Sequence, residues 1–163
     1  MYKPDSLRKH LSSSNPVLKK NPERFHVFAD EGNIVATGTG SFSFEYQYKL
    51  NIIITDYSGS AEAIMVPLLS WLYVHQIELL ANPDRRKTGI RFEADFNNNR
   101  TMDISLELEL TEKVIVREDE KGKLSARHQQ EPQFTPDYTN KFWQLYKGDD
   151  LLAEWYTDAL KKP

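Results

Sequence analysis

The chain has 163 residues, of which 39% are hydrophobic and 28% are charged, and its formal net charge is -3. A chain of this length has room for one domain with a hydrophobic core, whereas a second full domain would be cramped. The slightly acidic balance argues against a dedicated nucleic-acid binder, which needs a concentrated basic surface. Cysteine is absent, which excludes disulfides, thiolate metal sites and a cysteine nucleophile, and which fits a reducing cytoplasm.

The sequence predicts neither a secretory signal nor a membrane span. The opening MYKPDSLRKHL lacks an apolar region and a small-residue cleavage site. The most apolar stretch, Ala61 to Ala81, is interrupted by Glu62, Pro67, His75 and Glu78. Because such a stretch is too polar to span a bilayer, we expect no membrane partner.

The first part of the chain predicts one short helix followed by strands. Proline and aspartate near its start favour a helix from Pro4 to Leu11. A strand from Arg24 to Asp30 is predicted to turn at Glu31 to Asn33 and to form a hairpin. From Phe42 to Ile54, apolar residues alternate with polar ones, which predicts a strand with one buried and one wet face. Ile53 makes its end apolar on both sides, so we expect that end to be central or covered.

The middle of the chain predicts a long helix, from Ala61 to about Leu80. Its apolar positions cover a broad arc, which suits burial against a sheet. Pro67 removes one backbone hydrogen bond, so a kink or a restart of the helix is expected near it. His75 lies on this helix and is expected to be a satisfied or partly exposed side chain rather than a metal ligand.

The second part of the chain predicts two hairpins. GIRFEADF and MDISLELELTEKVIV are strands joined by NNNRT. After Val116 the sequence is polar and proline-spaced until FWQLYKGDDLLAEWY, which is predicted to turn at Lys147 to Asp150. These elements predict an α+β fold in which an antiparallel or mixed sheet is packed by one long helix and one short N-terminal helix. We expect the domain to span residues 1–116 and an extension with a β-hairpin to span residues 117–163.

Glu107 and Glu109 are the first candidates for chemistry, because they alternate with leucines on one strand. Their Cα atoms are expected about 7 Å apart on one strand face. Glycosidase carboxylates face each other across a sugar, normally from different elements, so this pair is a poor match for catalysis. The pattern favours a solvated or partner-facing surface.

Metal and cofactor sites have little support in the sequence. DFNNNR opens like a calcium loop, with Asp95, Asn97 and Asn99 in the ligand positions. Arg100 and Leu106 stand where an EF-hand needs glycine and a bidentate glutamate, so a hairpin turn is favoured. The four histidines show no ligand spacing. We therefore expect no catalytic, metal or cofactor-binding residue.

Aromatic residues make up 12% of the chain and are concentrated near its end. Trp143, Tyr146 and Trp155 belong to this aromatic segment. They could pack back onto the domain, or they could anchor a partner, since aromatics concentrate at interface centres. The sequence leaves both alternatives open.

Several separate segments, taken in order, resemble one family. They are KPDSLR, KNP at Lys20 to Pro22, SFSFE, LNIIITDYSG, VPLLSWL and FEADFNNNRTMDISLELELTE. Together they resemble the tail completion protein R family of Peduovirus-type contractile-tailed phages and prophages. The resemblance spans roughly Tyr2 to Glu112, and beyond Val116 it is limited to a late segment similar to QLYKGDDLLAEW.

The resemblance implies a non-enzymatic structural protein of the virion tail, present in the host bacterial cytoplasm during assembly. It implies completion of the tail at its head-proximal end, by capping the tube and sheath and making the tail competent for head joining. The implied partners are further copies of the chain in a ring, commonly a hexamer, the tube and sheath proteins, and head-completion or connector proteins. No specific nucleic-acid binding is implied.

The wet sheet face is the expected interaction surface, and its residues of interest are Glu45, Gln47, Lys49, Glu107 and Glu109. Acidic side chains in the tube lumen would repel DNA phosphate, whereas charges at a subunit boundary would select register and partner. Two rival functions predict different features. A small-ligand or carbohydrate-binding module would present a concave aromatic pocket, and a hydrolase would bring Glu107 or Asp95 to another carboxylate in a deep cleft.

Overall fold

The computed structural model describes residues 1–38, 40–97, 100–132 and 140–157. Five α-helices are found in these ranges: α1 Lys3–Ser14, α2 Pro16–Lys20, α3 Glu62–His75, α4 Ile77–Ala81 and α5 Arg85–Thr88. A short 3-10 helix spans Pro22–Arg24. The strands are β1 Phe25–Ala36, β2 Phe44–Tyr57, β3 Ile90–Phe96, β4 Met102–Glu118, β5 Leu124–His128, β6 Phe142–Lys147 and β7 Asp150–Tyr156. None of the helices in these ranges is both long and apolar enough to cross a membrane.

The main sheet is antiparallel at every described pairing. Its strands lie in the order β1-β2-β4-β3, and β5 pairs with the end of β4. β6 and β7 form a separate two-stranded antiparallel sheet. The fold is therefore mixed α+β, with an antiparallel sheet and several helices.

The core lies between one face of the sheet and the helices. In the middle of the two central strands, even-numbered residues such as Leu50 and Leu106 are fully buried. They share one core with Leu7 of α1 and with Leu68 and Leu72 of α3. The odd-numbered side chains of β4, and those of β2 as far as Thr55, are half-buried or exposed. The alternation predicted for these strands is therefore confirmed. A period of two residues is typical of a strand in a sheet that is covered on one face only. We call the other face, which bears the odd-numbered side chains of β2 and β4, the open face.

The predicted turn at Glu31 to Asn33 is wrong. β1 continues through these residues to Ala36, and its register against β2 shifts between Asp30 and Asn33. Glu31 has a φ of 46°, so the segment is a bulge inside one strand. Bulges and turns share a preference for glycine and asparagine, which explains the error.

The long helix does not restart at Pro67, which was one of the two alternatives expected there, and its interruption lies further along the chain. α3 passes through Pro67 without a restart, and the helical path breaks at Gln76, whose φ is -152°. Proline removes the hydrogen bond to the carbonyl four residues earlier. Here that carbonyl belongs to Ala63 and accepts a hydrogen bond of 3.2 Å from the Asn15 side chain. A distant side chain thus replaces the missing backbone donor.

The structure also differs from the sequence-based expectations at the end of α1, in the segment after the charged turn and at Ile53. α1 extends to Ser14, beyond the predicted end at Leu11. The polar segment after the charged turn contains a strand, β5, which the sequence did not predict. Ile53 lies on a central strand but is exposed on the open face. β3 and β4 pair as predicted, while Asn99 of the calcium-loop hypothesis lies outside the described residues.

Candidate functional site

The open face carries a ladder of charged side chains across neighbouring strands. Lys49 of β2 lies opposite Glu109 of β4, and Glu45 lies opposite Lys113. Because directly opposed residues of antiparallel strands have close side chains, charges of opposite sign there can attract each other. The sheet thus brings three of the predicted interaction residues, Lys49, Glu107 and Glu109, to one area.

Lys49 is the centre of this ladder. Its Nζ lies 2.7 Å from the Glu31 carboxylate, in the bulge of β1, and 3.8 Å from that of Glu107. The hydrogen bond to Glu31 raises the pKa of Lys49, and Glu107 adds to this effect. On the other side of Glu107, a guanidinium nitrogen of Arg91 lies 3.6 Å from the same carboxylate. One connected network therefore spans all four strands from β1 to β3.

The charges on the open face are largely balanced. The Glu45 carboxylate lies 3.8 Å from the Lys113 ammonium and accepts a hydrogen bond of 2.8 Å from Gln47. Glu109 forms no salt bridge within the described ranges, although it lies opposite Lys49. No pattern in the sequence points to Glu31, Arg91 or Lys113, because only the strand order shows which charges become neighbours. The face combines both signs of charge and is not a uniformly acidic surface.

The C-terminal hairpin packs back onto α3 through part of its aromatic set. Trp155 is only 6% exposed and forms a small cluster with Ala63 and Ala153. Its cross-strand partner Trp143 is half-buried against the same cluster. Tyr146 is different, because half of its side chain is exposed. The structure thus uses Trp155 to hold the hairpin in place and leaves Tyr146 at the surface.

A buried polar cluster lies beside β4, and no sequence pattern predicted it. Glu112 is buried and accepts hydrogen bonds of 2.5 Å from the Tyr48 hydroxyl and 2.7 Å from the backbone N–H of Tyr2. Its carboxylate also lies 3.1 Å from a ring nitrogen of His128. Burial, with the neighbouring Glu112, raises the pKa of Tyr48 well above its usual range. The Glu112 carboxylate therefore ties the N-terminus to the sheet.

Lys3 extends the same cluster to the edge of β4. Its Nζ donates hydrogen bonds of 2.6 Å to the Thr111 carbonyl, 2.6 Å to Gln76 and 2.8 Å to Glu131. The Gln76 side chain also accepts from the backbone N–H of Thr111 at 3.2 Å. Burial lowers the pKa of Lys3, against the opposing attraction of Glu131. The two side chains thus satisfy the backbone of β4 between the ends of β3 and β5.

A groove of about 1190 Å³ lies between α1, the end of β5 and the hairpin. Its lining includes Tyr2, His10, His128, Phe142 and Tyr156. A second groove, of about 610 Å³, is lined by Phe92, Phe96, Met102 and Lys147 among others. Neither groove is lined by Glu107 or Asp95, so the carboxylates that a hydrolase would use do not face either of them.

His75 is a buried residue of α3. Its ring stacks on Trp71 with the centroids 4.6 Å apart. Burial, together with the positive charges of Lys3 and His10, lowers the pKa of His75 to about 3. No group of three or more histidine, aspartate or glutamate side chains is arranged to hold a metal ion in the part of the chain that the structure describes.

Comparison with known proteins identifies the family. The profile of the family described as P2 phage tail completion protein R (GpR) matches residues 1–132. Tail completion protein R of Escherichia phage P2 is 39% identical over 155 residues, which cover 95% of this chain and 99% of that protein. No solved structure matches the chain. Because the match covers most of the sheet, the N-terminal helices and the hairpin, the chain belongs to the P2 phage tail completion protein R family.

Proposed function

We propose that the protein is a non-enzymatic structural component that completes the tail of a phage or prophage. It caps the tube and the sheath at the head-proximal end and makes the tail competent to join a head. The observation that carries this proposal is the 39% identity to tail completion protein R of phage P2 along 95% of the chain. Related sequences aligned from end to end support a shared role in the same assembly.

In this proposal the protein acts as a ring in the virion tail, commonly a hexamer, after folding in the host bacterial cytoplasm. Its partners are further copies of itself, the tube and sheath proteins, and head-completion or connector proteins. The sheet supports such a role because it offers a broad surface of paired charges. Charged groups at an interface select register and partner more than they add affinity.

The interaction surface is proposed on the open face, through Glu45, Lys49, Glu107 and Glu109. The balance of charge on this face favours contact with another protein over a lumen that repels DNA. A lumen surface would need unpaired acidic groups, whereas Lys49 and Arg91 lie within 3.8 Å and 3.6 Å of the Glu107 carboxylate. Paired charges of this kind can exchange partners when a second surface approaches.

The C-terminal extension, residues 117–163, is proposed to reach a neighbouring tail protein while residues 1–116 form the completion domain. Tyr146 is the contact residue of the hairpin in this proposal, since it is exposed and aromatic. Trp143 and Trp155 support it by holding the two strands on α3. The extension thus presents an exposed aromatic side chain from a hairpin that is packed on α3.

A second candidate is a small-ligand or carbohydrate-binding module. The groove of about 1190 Å³ favours it, because Tyr2, Phe142 and Tyr156 line a concave surface. Exposed aromatic rings can stack on the apolar faces of sugars. This candidate predicts that a Tyr156→Ala variant loses binding to a glycan array while tail assembly is unaffected.

The test of the main proposal is electron microscopy of tails from a phage or lysogen in which the gene is deleted. We expect tails of abnormal length or without their head-proximal cap, which fail to join heads. Adding the purified protein should restore joining. Normal tails and normal infectivity in the deletion would refute tail completion and would direct attention to the binding-module candidate.

A further inference from the structure

The main sheet ends in two strands whose outer edges are not covered by another strand. β1 lies at one end and β3 at the other, and no described strand pairs with either outer edge. An uncovered edge presents unpaired backbone N–H and C=O groups and invites a further strand. Proteins usually protect such edges, so two long open edges in one chain call for an explanation.

The edge at β3 also exposes aromatic side chains. Phe92 and Phe96 are 66% and 77% exposed, although their positions opposite Leu106 and Met102 place them on the helix side of the sheet. They line the groove of about 610 Å³ together with Met102 and Ala61. Large apolar side chains next to an open edge mark an interaction site. A strand added to β3 would cover both rings.

The direction of the strands fits a second copy of the chain. β1 is antiparallel to β2, β2 to β4, and β4 to β3, so β1 and β3 run in opposite directions within one subunit. Rotation about a ring axis keeps the direction of strands that run along the axis. β3 of one copy would then meet β1 of the next copy antiparallel, and the antiparallel order would continue around a closed ring.

The charges along the two edges select the same direction. β3 carries basic Arg91 near its start and acidic Asp95 near its end, whereas β1 carries His26 near its start and Asp30 four residues further on. An antiparallel register that sets Arg91 opposite Asp30 also sets Asp95 opposite His26. A parallel arrangement would instead bring Asp95 next to Asp30. Arg91 and Asp30 would thus carry opposite charges at facing positions, which stabilises strand pairing, whereas like charges at facing positions oppose it.

The same register matches the apolar side chains. It sets Phe92 opposite Ala29, Ala94 opposite Val27 and Phe96 opposite Phe25, all on the helix side of the two strands. Val27 is half-buried and Ala29 is exposed in the single chain. The small Ala29 leaves space for the ring of Phe92. The register is therefore complementary by charge at Arg91 and Asp30 on the open face, and by apolar contact on the helix side.

We propose that β3 of one subunit pairs antiparallel with β1 of the next, in the register Arg91 to Asp30, so that the sheets join into one continuous band around the ring. This inference rests on the ring of the proposed function and names its subunit contact. The occupant of both edges is a second copy of this chain. The contact is head to tail, as a closed ring requires.

Disulfide trapping tests the contact directly, because the chain contains no cysteine. An Ala29→Cys, Phe92→Cys variant should form subunit-to-subunit disulfides in assembled tails, since opposed residues lie within reach of a disulfide. Non-reducing gels should show a ladder of linked oligomers that reducing agent removes. Each single-cysteine variant, and Ala29→Cys combined with Lys121→Cys on the exposed β4–β5 turn, should give no such ladder.

Charge reversal is a second measurement, independent of cysteine chemistry. Asp30→Arg and Arg91→Asp should each lower infectious titre by about tenfold or more, because each sets like charges at the contact. The double variant should recover most of the loss. Arg91→Gln is the matched control, and it should fall between wild type and Arg91→Asp.

The outcomes distinguish this inference from tail completion itself. If deletion of the gene abolishes head joining but the cysteine pair gives no ladder and the reversals leave the titre unchanged, the β1–β3 contact is overturned and tail completion stands. If the deletion has no effect on tails, tail completion fails. A ladder obtained with purified protein alone would still support the contact between copies.

Discussion

The Tyr48 hydroxyl and the Glu112 carboxylate are joined by a hydrogen bond of 2.5 Å, 64 positions apart in the chain. Tyr48 belongs to β2 and Glu112 to β4, and both side chains are buried on the helix side of the sheet. The same carboxylate accepts from the backbone N–H groups of Tyr2 and Lys3. A single acidic group therefore connects two central strands with the start of α1.

Replacing Glu112 by alanine should lower the free energy of unfolding by about 2 to 4 kcal/mol, because it leaves several buried donors without an acceptor. Urea denaturation followed by circular dichroism measures this loss. Glu109→Ala is the matched control, since Glu109 lies three positions earlier on the open face, and its effect should stay within about 0.5 kcal/mol. Equal losses in the two variants would contradict the role assigned to the buried carboxylate.

Asn15 should be unusually intolerant of substitution for an asparagine in a helix connection. Its Oδ1 accepts from the backbone N–H groups of Val17 and Leu18, and its Nδ2 donates to the Tyr57 hydroxyl and the Ala63 carbonyl. Asn15→Ala removes both sets of hydrogen bonds and should cost about 2 to 3 kcal/mol in urea denaturation.

Asn15→Asp separates the two contributions. It keeps an acceptor for the start of α2 but loses the donor that the Ala63 carbonyl needs, since Pro67 has no N–H to offer. It also brings a carboxylate next to that carbonyl in a buried place. We expect it to be at least as destabilising as alanine. A variant as stable as wild type would show that the carbonyl freed by Pro67 does not need a partner.

Alternation along β2 and β4 was enough to predict the sheet and its buried face. The pattern is local, and a sheet with one covered face imposes it on each strand separately. The sequence predicts a turn where the structure has a bulge at Glu31, because both features accommodate residues with positive φ. Only the pairing with β2 distinguishes them, and pairing is not local. The same limit explains why β5, which is short and exposed, was missed.

The charged network and the buried cluster could not be read from the sequence for a related reason. Glu107 was identified as an open-face residue by its parity, but its partners Lys49 and Arg91 come from two other strands. In the sequence, Lys3 has the features of an ordinary surface residue. Nothing near it in the sequence predicts its hydrogen bonds to Gln76 and Glu131. Strand order and helix placement decide these contacts, so their prediction needs the fold first.

His75 should make stability depend on pH in the acidic range. Its pKa is lowered to about 3 in the folded protein, whereas an unfolded chain has a histidine pKa of about 6.5. Below pH 6.5 the unfolded chain therefore binds a proton that the folded protein does not. The stability contributed by neutral His75 is complete above pH 6.5 and falls by up to about 1.4 kcal/mol per pH unit toward pH 3.

A His75→Phe variant should lack this part of the pH dependence while keeping an aromatic ring against Trp71. The measurement is urea denaturation of both proteins between pH 7 and pH 4, compared as a difference so that other groups cancel. His26→Gln, which removes an exposed imidazole, is the control for the loss of a histidine outside the core. Parallel curves for wild type and His75→Phe would show that the imidazole is protonated without loss in the folded state.

In the hairpin, we expect Trp155 to contribute to stability and Tyr146 to contribute to binding. Trp155→Ala should destabilise the hairpin by about 3 kcal/mol, because it empties a buried position against Ala63 and Ala153. Limited proteolysis should then cleave within β6 and β7 much faster. Tyr146→Ala removes an exposed ring and should leave the protease resistance unchanged but weaken attachment to the tail. Faster cleavage of the Tyr146→Ala variant than of the Trp155→Ala variant would contradict these two roles.

The open-face charges should matter for assembly far more than for folding. Reversing Glu107 and Glu109 to lysine disrupts the partly exposed ion pairs that Glu107 forms with Lys49 and Arg91. Such pairs contribute little to stability, so the free energy of unfolding should change by about 1 kcal/mol or less. The same double variant should impair tail completion strongly, because lysines beside Lys49 and Arg91 would replace a balanced surface by a basic one. Infectious titre and electron microscopy of tails measure the effect.

Neutral variants of Glu107 and Glu109 distinguish two roles of the open face, contact with a protein partner and lining of a passage for DNA. If the open face contacts a protein partner through matched charges, Glu107→Gln combined with Glu109→Gln should give an intermediate assembly defect. Reversal of both residues to lysine should give the full defect, because it removes more of the charge complementarity. If it lines a passage for DNA, the defect should appear instead in DNA ejection, with tails that look complete. Normal assembly and normal ejection with both lysines present would remove the open face from the interaction surface, and would leave the strand edges and Tyr146 as the remaining contacts to test.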